Sequence, residues 1–141
     1  MSILNSIGSK MLKELVTHIK NLTGYTIGSD LLAGRSTTAG AETALIVEEL
    51  TPGIASTLRT DERFLTFRIV SRSRDYFTAR DRAYTTHGVL HGKWHVLFPV
   101  VTSGELWEGS LDCTTPYHIG QDERGLEMFC FNCSIKARNP D

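Results

Sequence analysis

The residues of this 141-residue chain best suited to chemistry are three cysteines, five histidines and several acidic pairs. Cys130-Phe131-Asn132-Cys133 has the spacing of a redox or zinc pair, and Cys113 with His87, His91, His95 or His118 would complete four ligands. The flanking sequence argues against that chemistry. Zinc ribbons hold such pairs on tight turns and thioredoxin-like pairs open a helix, whereas Phe129, Phe131, Cys133 and Ile135 alternate as on a strand. Residues three apart on a strand face opposite sides, so both cysteines are expected to pack as small apolar side chains in or against a sheet. An odd cysteine count without an export signal points to reduced thiols.

His87 and His91 stand one helical turn apart and can reach one ion, but two ligands leave a site incomplete and the glutamate of H-E-x-x-H is missing. Glu48-Glu49 and Asp122-Glu123 have the character of solvated surface acids, and nothing in the sequence places them across a cleft. There is no G-x-S-x-G turn and no glycine-rich phosphate loop. The expectation is a chain that is not an enzyme and carries no cofactor or metal; a small Cys/His metalloprotein is the alternative from a different class.

Charge is the most uneven feature. Seven of fifteen basic residues, Arg59, Arg63, Arg68, Arg72, Arg74, Arg80 and Arg82, fall in one segment with Asp61, Glu62, Asp75 and Asp81. Arg68 and Arg72 are expected to project from the polar face of their strand as forks that pair with carboxylates. They then contribute either a solvated face with local ion pairs or a contact with an acidic surface of another subunit.

A chain of 15.7 kDa, 40% hydrophobic and 22% charged, reads as one globular domain. Its formal charge of -1 excludes general affinity for nucleic acid, and no stretch approaches the ~20 apolar residues of a membrane span. Without a leader-like N-terminus, the chain is expected to begin in a cytoplasm.

The elements that must position these residues follow from periodicity. Leu4, Ile7, Met11, Leu15, Ile19 and Leu22, widened by Leu12 and Val16, predict an amphipathic helix over about Ser2 to Leu22, stopped by Gly24. Short strands are expected at Leu31-Leu32-Ala33 and from Thr43 to Leu50, the latter closed by Thr51-Pro52-Gly53. Phe64 to Ser73 alternates as a half-buried strand. Tyr76, Ala79, Ala83, His87 and Leu90 predict a second helix from about Asp75 to His91, capped by Asp75 or Ser73 and ended by Gly92. Trp94, Val96 and Phe98, then Leu106 to Asp112 across Thr102-Ser103-Gly104, form a hairpin. A last strand runs from about Leu126 to Ala137 after a turn at Gly120 to Gly125. The class is α+β: a single domain, mostly antiparallel sheet, two main helices packed on one face.

Taken in order, these pieces resemble a known family. The first helix ending in Leu22-Thr23-Gly24, then Gly28-x-Asp30-Leu31-Leu32-Ala33-Gly34 and a short apolar strand, is similar to the opening of the minor capsid or tail terminator proteins of long-tailed phages. Phe67-Arg68-Ile69-Val70-Ser71-Arg72, the helix with Ala79-Arg80-Asp81 ending in Leu90-His91-Gly92, and Ile119-Gly120-Gln121-Asp122-Glu123-Arg124-Gly125 before a strand with Asn132 agree in type and spacing. The resemblance covers about Met11 to Ala137, without the loop from Thr51 to Arg63 or the cysteines of the last strand.

It implies a virion protein of the tail or neck, assembled in the bacterial host cytoplasm, whose copies form a ring, usually of six. The ring caps the head-proximal end of the tail tube and meets the head connector or stopper. A neck, tail-completion or head-closure role is the near alternative. The implied partners are further copies, the tail tube protein and the connector, with DNA passing through the lumen as a further contact, and no membrane. A closed ring requires two different complementary patches per subunit. The arginines Arg68, Arg72, Arg74 and Arg80 are candidates for one, and Glu48, Glu49, Asp122 and Glu123 for the other. The hairpin tryptophans Trp94 and Trp107 are candidates for contact with tube or connector, or ordinary core residues.

Overall fold

The computed structural model describes residues 3–34, 42–50, 54–55, 62–100 and 105–138, with side chains described for 12–34, 42–50, 64–92 and 110–136. In chain order the elements are α1 (Ile3–Thr23), β1 (Leu31–Ala33), β2 (Ala44–Glu49), β3 (Ile54–Ala55), β4 (Glu62–Ser73), α2 (Tyr76–Leu90), β5 (Lys93–Val100), β6 (Glu105–Cys113), β7 (Tyr117–Gln121) and β8 (Glu127–Arg138). The class is α+β, as the alternation of periods predicts.

One sheet runs β1-β2-β4-β8-β6-β5, with β3 on β4 and β7 on β8. Its centre is the pair of twelve-residue strands β4 and β8, antiparallel from Glu62↔Arg138 to Ser73↔Glu127. β2 lies on the other side of β4, and β1 joins β2 in the one parallel pairing among the named strands. The outer edge of β8 is shared: β6 takes the half from Cys133 to Arg138 and β7 the half from Glu127 to Cys130. β5 closes that side as a hairpin with β6, and an edge strand can accommodate its Pro99, which lacks an N–H.

Both helices cover one face. Leu15, Val16 and Ile19 of α1 and Leu90 of α2 are buried against Leu45, Val47, Leu65, Phe67, Ile69, Phe131 and Ile135, the face that period two assigns to the core. Gly24 at φ +80° ends α1, its N–H bonded to the Lys20 carbonyl at 2.8 Å. Asp75 is the N-cap of α2 in extended conformation, its carboxylate taking the Thr78 hydroxyl at 2.7 Å; its own N–H is held by Ser73 Oγ at 3.2 Å. Gly92 at φ +77° follows the helix, a conformation that glycine adopts without strain.

Three expectations are corrected. Leu22 is 46% exposed, because the sheet-facing stripe of α1 stops at Ile19, one turn before the helix ends. Tyr76 is likewise exposed rather than part of the α2 stripe. Residues 117–121 form a strand, β7, where only the beginning of a turn is expected. Every β7 residue but Gly120 is exposed, so no apolar alternation marks it, and hydrogen bonding to β8 defines it instead. The short β3, on β4, also goes unmarked by periodicity. The proposed turn residues Thr102, Ser103 and Gly104 lie outside the described residues.

Candidate functional site

The face of the sheet away from the helices is where the charged candidates meet. Register sets Glu48 of β2 directly opposite Arg68 of β4, and Glu48 Oε2 accepts from Arg68 Nη2 at 2.6 Å and Nε at 2.9 Å. That hydrogen bond raises the Arg68 pKa above its ordinary value. Two residues expected on opposite patches thus satisfy each other within one chain. Glu49 points to the helix-covered side opposite Phe67, where burial pushes its carboxyl pKa up.

Arg72 shares the strand face of Arg68 but is fully buried, at 0% exposure, which corrects its expected projection into solvent. Its register neighbours are Ala44 and Met128, beside the cluster of Ile46, Val70 and Cys130. Period two assigns a side of the sheet and does not say whether that side is covered. Burial first, and then the charge of Arg124, hold the Arg72 pKa below the ordinary arginine value, with Asp122 acting in the opposite direction.

The remaining candidates occupy the same end of the sheet or α2. Glu42 accepts from Arg74 at 2.8 and 3.3 Å, and Arg124 lies 3.9 Å from the same carboxylate. Asp122 works inside its own turn: Oδ1 accepts the N–H groups of Arg124 and Leu126, each at 2.9 Å. Glu123 is exposed. Arg80 is exposed over the Tyr84 ring at 4.6 Å, with Asp81 at 3.9 Å. Trp94 and Trp107 fall on β5 and β6, their side chains outside the described residues, as are those of Arg59, Arg63 and His95.

The cysteines separate as strand geometry requires. Cys130 is buried on the outer face with Ile46 and Val70, while Cys133 lies on the helix-covered face directly opposite Cys113. All three are free thiols. Above them the His87 and His91 rings stack with centroids 4.9 Å apart. His91 Nδ1 accepts the Cys113 N–H at 3.0 Å. A nitrogen that accepts carries no proton, so Asp112 Oδ1, 3.5 Å from it, is a neighbour and not an ion-pair partner in that state. Burial, then His91, hold the His87 pKa below its ordinary value. Among the described residues no group of three or more His, Cys, Asp or Glu is placed to hold a metal ion.

An aromatic surface joins α2 to β7, and the sequence reading missed it. Phe77 is 68% exposed, with Tyr76 and Tyr84 also exposed, and His118 of β7 faces them. Tyr117, 57% exposed, pairs with Cys130 and so lies on the other face of the sheet, and Ile119 is exposed as well. Tyr76 packs edge-on against Phe77 at 5.5 Å, His118 at 5.3 Å and Phe129 at 5.0 Å; the Tyr84 hydroxyl donates to the Pro116 carbonyl at 3.4 Å. His118 is held 2.6 Å from Glu127, whose pKa is lowered by hydrogen bonds from Gln121 and then His118. Among the described residues β7 pairs on one side only, so its outer N–H and C=O groups are a template for another strand. The available signal was the adjacent Tyr76-Phe77, which cannot both enter a narrow helical stripe.

No protein-family model matches the chain, and no curated protein matches it. Among solved structures it is similar to a chain of one described as "Virion of native gene transfer agent (GTA) particle", with a TM-score of 0.52 and 13% identity over 92% of this chain and 92% of that one. At that identity the likeness is one of fold.

Proposed function

We propose that the chain is a structural subunit of a phage-like virion, and within it a tail terminator: copies close into a ring on the head-proximal end of the tail tube and offer the head connector a surface. The observation that supports this reading is the fold shared, over 92% of each chain, with a chain of a gene transfer agent virion. The order of motifs that resembles terminators supports the position at the tube end. The ring contact we assign is the open edge of β7, flanked by exposed Phe77 of α2 on the helix-covered face and by exposed Tyr117 on the outer face, with exposed Ile119 on the strand itself. Apolar anchors supply burial and the edge supplies backbone hydrogen bonds, a combination suited to a second copy. In this reading no side chain transforms a substrate; the work is done by fit, since a cap must match the last tube ring and refuse another.

The test is the particle assembled without this protein. Overlong, headless tails are the expected phenotype of a missing terminator. Tails of ordinary length that fail to join heads would reassign the chain to joining, and complete infectious particles would remove it from the tail altogether.

A further inference from the structure

We propose that Cys113 and Cys133 are an oxidisable pair that closes into a cross-strand disulfide, stapling β6 to β8 beneath α2. This goes beyond the terminator reading and stands whether or not the chain caps a tube.

The register sets the two residues directly opposite on antiparallel neighbours. The Cys113 N–H points away from β8, to His91 Nδ1 at 3.0 Å, while the next residue along, Thr114, donates to the Asn132 carbonyl at 2.9 Å. Cys113 and Cys133 are therefore a non-hydrogen-bonded pair, the closer kind, with Cα atoms about 4.5 Å apart and side chains on one face. That spacing falls inside the range a disulfide spans. Both side chains belong to the same buried cluster. Cys130, buried on the opposite face, is excluded from the bond by the same geometry.

Hydrogen peroxide is the oxidant that fits a site with so little access. Cys113, 7% exposed against 0% for Cys133, is the residue nearer to solvent and the one we assign as first oxidised. The adjacent Cys113 side chain and burial raise the Cys133 pKa above the ordinary thiol value, which makes Cys133 a poor first nucleophile. The Cys113 sulfur attacks one peroxide oxygen, the O–O bond breaks, and a sulfenic acid and one water result. The Cys133 sulfur then attacks the sulfenic sulfur and displaces hydroxide, which leaves with the thiol proton as a second water. Two thiols and one peroxide give one disulfide and two waters.

The experiment treats the folded full chain with hydrogen peroxide and follows intact mass and a non-reducing peptide map. The expected result is loss of two hydrogens, a linked peptide containing Cys113 and Cys133, and a melting midpoint that rises and reverts with dithiothreitol. Cys130→Ser should give the same linkage. The proposal is overturned if peroxide only adds oxygen to Cys113, if the linkage includes Cys130, or if the folded chain keeps its mass under conditions that oxidise it in urea.

Discussion

Arg68 and Arg72 lie four residues apart on the same side of β4, yet one is solvent-exposed beside Glu48 and the other is fully buried. Their substitutions should therefore separate. Arg68→Glu replaces an exposed ion pair with a like-charge pair and should cost about 1 kcal/mol or less, the range of surface pairs. Arg72→Glu puts a carboxylate in a closed site near Asp122 and should cost about 3 kcal/mol or more. Urea unfolding checks both, and equal losses would contradict the placement of Arg72. His87 gives a pH signature. Its folded pKa lies below the ordinary 6.5, so protonation favours the unfolded chain. Stability from this group is complete above pH 6.5 and is lost as pH falls through the lowered folded pKa. Glu42 and Glu127, also lowered, lose theirs only below 4.5. His87→Phe should flatten the first decline in the urea midpoint and leave the second.

The long elements were legible because their repeats are set by backbone geometry. Leu65, Phe67 and Ile69 of β4 and Phe131, Cys133 and Ile135 of β8 recur at every second position on the core face, and α1 and α2 carry stripes at helical spacing. β7 was not legible, since an exposed edge strand needs no apolar alternation and exists through its ladder to β8. The same exposure yields a prediction for this strand and its neighbouring helix. Phe77→Glu with Ile119→Lys alters side chains that are solvent-exposed in the single chain, so the melting midpoint should hold within a few degrees. Assembly on isolated tail tubes, followed by negative-stain imaging, should fall at least tenfold, as expected when two interface anchors are lost. Undiminished assembly would move the ring contact elsewhere.

For the molecule as a whole, a formal charge of -1 leaves no net field to hold a phosphate backbone. The α+β class and the face each core residue occupies are local matters, written in the periods of apolar side chains. The separation of Cys130 from Cys133 belongs with them, because three steps along any strand reverse the face. Register and coverage are different in kind. That Glu48 meets Arg68, that Cys113 meets Cys133, and that Arg72 is enclosed while Phe77 is left in solvent all depend on which strands become neighbours and what lies over them. Those pairings join positions about twenty residues apart, and only the folded sheet brings them together.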